Sequence, residues 1–114
     1  MVSVQGETPR RGDILKLQFK PQAGREQAGY RPVIFISPIK YNRISSLILV
    51  CPITNRKRGW PFKVELVAPM QTTGVVLVDQ FKSIDCKTRE AMFVESPPLA
   101  IIDEVLARLE TLTS

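Results

Sequence analysis

The chain has 114 residues, 44% of them apolar, which is enough for one domain with one core and too apolar for disorder. Sixteen basic against eleven acidic residues leave a net charge of +5, a balance that favours an anionic partner such as nucleic acid or an acidic protein segment. The chain contains no histidine, and its two cysteines, Cys51 and Cys86, are far apart, so Ser-His-Asp and Cys-His nucleophilic sites are excluded and no zinc site is expected.

Residues 1–10 read as a polar, flexible lead-in, followed by a single domain over 11–114. No apolar run reaches the roughly 20 residues needed to span a bilayer, and MVSVQGETPRRGD lacks the apolar stretch of a signal peptide. A cytoplasmic location without a membrane partner is expected, with Cys51 and Cys86 as core-filling thiols.

After Gly12-Asp13, the apolar residues Ile14, Leu15, Leu17 and Phe19 predict a first strand. Val33 to Ile36 is a second, and Leu47 to Cys51 a third that Pro52 should end. Phe62, Val64 and Leu66 alternate with Lys63 and Glu65, the pattern of a half-buried strand. Val75 to Val78 is another buried run, and Cys86 to Val94 a weaker one. The period then changes. Leu99, Ile102, Val105, Leu106, Leu109 and Leu112 recur at helical spacing, with Ser96 as N-cap, Pro97 at the first helical position and a Glu104–Arg108 pair. About six short strands and one amphipathic helix predict a mainly β fold, a small barrel or tightly bent sheet with the helix over one face.

Three stretches could carry chemistry. In EQAGYRPVIFISP, residues 26–38, Arg31 stands on the lip of a buried strand, between Gly29 and Pro32. A planar guanidinium held this way suits a phosphate, and the alternative is a surface arginine paired with Glu26 or an aspartate. In CPITNRKRGW, residues 51–60, Thr54, Asn55, Arg56, Lys57, Arg58 and Trp60 combine cations for a phosphate backbone with a ring for a base. The alternative is a solvated hairpin loop with Trp60 packed on the sheet. In VDQFKSID, residues 78–85, Asp79, Gln80, Lys82 and Ser83 gather at a strand end, where a turn or helix cap is the competing explanation.

Taken in order, RGDI at 11–14, GREQAGYRP at 24–32, the Pro-x-Thr of CPIT at 51–54, GWPF at 59–62, TGVVLVDQ at 73–80 and the closing helix resemble the MazF/PemK family of toxin–antitoxin ribotoxins. The resemblance implies an SH3-like β-barrel with a C-terminal helix, working as a homodimer. It implies a sequence-selective endoribonuclease that cleaves single-stranded RNA without metal or other cofactor, by attack of the ribose 2′-OH on the adjacent phosphate. The products would be 2′,3′-cyclic phosphate and 5′-OH ends. Arg31 and Thr54 would be the central catalytic pair, with Asp79 and Glu26 the candidates for general base. Arg25, Gln27, Asn55, Arg56, Lys57, Arg58, Trp60, Gln80 and Lys82 would contact RNA. In the PemK-like branch a histidine and an arginine have catalytic roles at the positions where Arg25 and Leu77 stand here, while its aspartate matches Asp79. The toxin would be inhibited by the acidic tail of an antitoxin. Two rivals remain at this stage: a gyrase-poisoning toxin of related fold, which would use the end of its helix, and a non-enzymatic SH3-like module for RNA or peptide.

Overall fold

The computed structural model describes residues 2–19, 29–56, 59, 61–67, 69–86 and 90–113. The elements run β1 (Ile14–Phe19), β2 (Gly29–Phe35), a single helical turn α1 (Ile39–Asn42), β3 (Leu47–Thr54), β4 (Lys63–Glu65), β5 (Val75–Leu77), a 3₁₀ turn (Val78–Gln80), β6 (Lys82–Asp85), β7 (Met92–Glu95) and α2 (Leu99–Thr113). The seven strands form a mostly antiparallel sheet in the order β4-β5-β3-β2-β1-β7, with β6 also paired to β3. Among the described residues no ladder joins the edge strands, so the expected barrel is an unclosed sheet with the helix laid on it.

The central strands read as unbroken apolar runs because both faces are buried. Leu15, Leu17, Val33, Phe35, Ile48 and Val50 point to one core, and Ile14, Ile34, Ile36, Cys51 and Ile53 to the other. This is the period-2 alternation of a strand with neither side left to water. The first core is covered by Val2, Val4, Ile84 and Cys86, the second by Val64, Val76, Val78, Ile101 and Val105. Both cysteines are free and buried, as expected of core-filling thiols.

Several expectations need correction. Residues 2–10 are not a loose lead-in. Val2 and Val4 are buried, the Val2 N–H donates to the Asn42 carbonyl, and Val4 and Glu7 pair across a tight turn in which Gln5 and Gly6 both have positive φ. Pro52 does not end β3, which runs on to Thr54. It occupies the last rung shared with β2, where a missing N–H is tolerated. The stretch from Cys86 to Val94 is not one strand, because β6 ends before it and β7 begins within it.

Ser96 does not cap α2, and Pro97 does not open it. Each precedes a proline, and the α region is disfavoured there, so the helix starts only at Leu99. The Ser96 hydroxyl instead donates to Asp13 Oδ1 at 2.9 Å, and Asp13 Oδ2 accepts the Arg10 N–H at 2.9 Å. The buried stripe of α2 is centred on Ile101 and Val105, and Leu99 stands 70% exposed. Glu104 and Arg108 form the expected pair at 3.0 Å.

RGDI is a structural seam. Arg11 Nε donates to the Ile36 carbonyl at 2.8 Å. Gly12 has φ +94, and any side chain there would run into Ile102 of α2. At the start of α1, buried Asn42 donates to the carbonyls of Pro9 and Ser37 and accepts the Ser37 hydroxyl, so its amide is satisfied.

Candidate active site

Strands β2 and β3 pair as Phe35↔Val50, Ile34↔Cys51 and Val33↔Pro52, and there the ladder stops. Two residues further along each strand, in the same register, stand Arg31 and Thr54. Arg31 is therefore within β2, opposite Leu17 of β1, rather than on a loop before the strand. Thr54 is the last residue of β3, which has by then crossed to β5 and pairs with Val75. Alternation puts Arg31 on the same face as Val33 and Phe35, and Thr54 on the same face as Ile48 and Val50, which is one face of the sheet. Both are half-buried. A fork of donors and a hydroxyl are thus brought to one sheet end where the strands part.

The Thr54 hydroxyl oxygen accepts the Arg56 N–H at 3.3 Å, an ST-turn that tightens the chain as it leaves the strand. With that lone pair occupied, the O–H is directed to another acceptor. Asn55 and Arg56 follow, both exposed. The Asn55 Oδ1 accepts the Thr73 hydroxyl at 3.3 Å. Beside it Gly74, at φ +109, lies against the Thr54 carbonyl and the Asn55 side chain so closely that a Cβ would collide with both.

Asp79 sits in the 3₁₀ turn that the competing explanation foresaw. Its charge reaches the Cys51 thiol, whose pKa is pushed up to about 12 first by burial and then by Asp79. Cys51 is three residues back from Thr54, about 10 Å along the strand. Gln80 and Lys82 are exposed on either side of Phe81, where β6 begins. Leu77, at the position where an arginine acts in the PemK-like branch, is buried in β5. Arg25, Glu26, Gln27, Lys57, Arg58 and Trp60 lie outside the described residues.

One residue escaped the sequence reading. Glu95, at the end of β7, accepts hydrogen bonds from the Gln71 N–H (3.2 Å), the Thr72 N–H (2.7 Å) and the Thr72 hydroxyl (2.7 Å). Partial burial works to raise its pKa, but these donors outweigh it and leave the carboxyl below its ordinary value. No local pattern could have found it, because its partners are more than twenty residues away.

A largely β protein with a basic side chain and a hydroxyl at one sheet end is suited to an anionic ligand. Comparison with known proteins narrows this class. The sequence pattern of the "PemK-like, MazF-like toxin of type II toxin-antitoxin system" family matches residues 10–113, and the chain belongs to that family. Endoribonuclease PemK of Escherichia coli is 39% identical over 107 residues, spanning 90% of this chain and 80% of that protein. Endoribonuclease toxin MazF of E. coli strain K12 is 41% identical over 83 residues, 73% of this chain and 74% of that one. A crystal structure of MazE–MazF from Deinococcus radiodurans superposes with a TM-score of 0.86 at 39% identity, covering 94% of this chain and 96% of that one.

Proposed function

We propose that this chain is the endoribonuclease toxin of a toxin–antitoxin pair and that it cleaves single-stranded RNA at the β2–β3 end without a metal ion. The endoribonucleases among its relatives support the activity, and the MazE–MazF complexes among similar structures support the antitoxin partner. The observation that carries the choice of site is the placement of Arg31 and Thr54 at corresponding positions on one face, where the ladder has ended.

In this reading the ribose 2′-OH attacks the adjacent phosphorus and the 5′-oxygen leaves, giving a 2′,3′-cyclic phosphate and a 5′-OH. Arg31 holds a non-bridging oxygen as its charge grows, and the Thr54 hydroxyl donates to the same phosphate. The proton of the 2′-OH goes to a carboxylate, with Asp79 and Glu26 as the candidates. Asn55, Arg56, Gln80 and Lys82 line the RNA path, with Arg25, Gln27, Lys57, Arg58 and Trp60 as further contacts. The domain spans residues 11–114, the location is cytoplasmic, and two copies associate. Exposed Ile44, Leu47 and Leu49 support the association, as apolar groups that a second copy would cover.

The test is cleavage of a long unstructured RNA in EDTA, with the ends of the products analysed. Cleavage should persist and leave cyclic phosphate and 5′-OH ends. A requirement for Mg²⁺, or cutting of RNA whose 2′-OH groups are blocked, would overturn the reading. Arg31→Lys is expected to lose most of the single-turnover rate with RNA affinity little changed, since lysine keeps the charge and loses the planar fork. A wild-type rate in that variant would favour the non-enzymatic module.

A further inference from the structure

The loop between β4 and β5, residues 66–74, leaves one paired strand and returns on the next, with the Leu66 N–H donating to the Gly74 carbonyl at its neck. Such a loop would be expected to vary in position unless something outside it holds it. Two attachments do so, on either side of its return. On one, the Glu95 carboxylate takes three donors from Gln71 and Thr72. On the other, the Thr73 hydroxyl donates to Asn55 Oδ1, and Gly74 rests on the Thr54 carbonyl.

Glu95 can make its attachment because β7 carries a β-bulge. Ile14 pairs with Glu95 while Leu15 pairs with Phe93, so Val94 is the extra residue. Bulges re-aim side chains. Here Val94 packs toward the second core, and Glu95 leaves the strand end for the loop. A carboxylate accepting two backbone N–H groups and a hydroxyl is a strong, directional anchor.

We propose that Glu95 is a positioning residue of the RNA site: it pins residues 71–72, and through Thr73 and Gly74 that segment sets the orientation of Asn55 beside Thr54. This rests on the assignment of the Thr54 site made above. Because Thr73 occupies Oδ1, Asn55 turns its NH₂ group outward, a donor for an acceptor on the edge of a base. The carboxylate therefore governs which base is read, without touching RNA.

The test compares two short RNAs, one with the preferred cleavage sequence mapped beforehand and one with a single base changed beside the scissile phosphate. Glu95→Gln keeps the shape but puts an NH₂ group where one carboxylate oxygen accepts, and Thr73→Val removes the hydroxyl that Asn55 accepts. Each should raise KM for the preferred RNA about fivefold and reduce discrimination between the two RNAs about tenfold, with kcat within about threefold of wild type. The double variant should be no worse than the more affected single one, because both break one chain of contacts. Thr73→Ser, which retains the hydroxyl, should behave as wild type. Where Glu95→Gln lowers the yield of folded protein, Thr73→Val at its exposed position decides. Unchanged discrimination in both variants, with only a lower unfolding midpoint, would make Glu95 a structural tie and overturn the proposal. If Thr54→Val cleaves at the wild-type rate, the site assignment itself fails. If Thr54→Val is inactive while Glu95→Gln and Thr73→Val discriminate normally, only the role of Glu95 fails.

Discussion

Strands β2 and β3 lie side by side, and their two ends are built differently. At one end Val33, Ile34 and Phe35 face Pro52, Cys51 and Val50, and all but Pro52 are buried. At the other the ladder has stopped, β3 has crossed to β5, and a half-buried arginine and threonine lead into exposed Asn55 and Arg56. The paired end fixes the spacing of the two strands. The parted end inherits that spacing, so Arg31 and Thr54 hold their separation without a strand ladder between them. Substitutions at the two ends should therefore fail in different ways.

The largest effect is expected at the paired end. Phe35→Ala removes a fully buried ring and should cost about 3–5 kcal/mol of stability, read as a shift in the denaturant midpoint. The rate per folded molecule should stay near wild type at low temperature, and a selective loss of rate would erase the contrast between the ends. At the parted end, Arg31→Ala should leave the midpoint within about 0.5 kcal/mol of wild type, as for a substitution outside the core. Its single-turnover cleavage should nevertheless fall on the order of 10²-fold or more. Thr54→Val should show the same pattern.

Arg56→Ala should act more weakly. RNA binding should decline with a shallower salt dependence, the slope falling by about one phosphate contact, while the rate at saturating enzyme changes little. Titration at two salt concentrations measures it. The smallest effect concerns pH. The pKa of Glu95 is lowered in the folded chain, so its stabilising contribution is fully present above the unfolded carboxylate value and is lost as pH falls through the folded one. The difference in melting temperature between wild type and Glu95→Gln should be greatest near pH 7 and should shrink as pH drops below about 4. A constant difference across that range would mean that the carboxylate charge contributes nothing.

The strands with both faces buried were legible because VIFI and LILVC are runs that only a covered strand or a short buried helix tolerates, and flanking Gly and Pro settled the choice. Arg31 and Thr54 were legible as residue types, but not their pairing, since registers are set between strands and not along one. The cap at Ser96 failed because two successive prolines override a good capping residue. Strand β6 escaped because only Ile84 of its four residues is fully buried, too short a signal for a period. Val2 and Val4 were hidden in a polar context although they sit two apart, the spacing that places both on one face. Glu95 depends on a bulge, which inserts a residue and shifts the alternation that a sequence reading relies on.

The pairing of β1 with β7 has a consequence for a chain made in order from its N-terminus. Arg31 and Thr54 leave the ribosome well before β7 and α2 exist. Until those later elements arrive, β1 lacks its outer neighbour and the second core lacks Ile101 and Val105. Contacts between distant parts of a chain form only after the intervening loop closes, so the sheet is completed late. A protein that cuts RNA is synthesised beside RNA, including its own message. In this topology the assembly of the cutting end waits on downstream sequence, which delays its action while the nascent chain is still attached to its template.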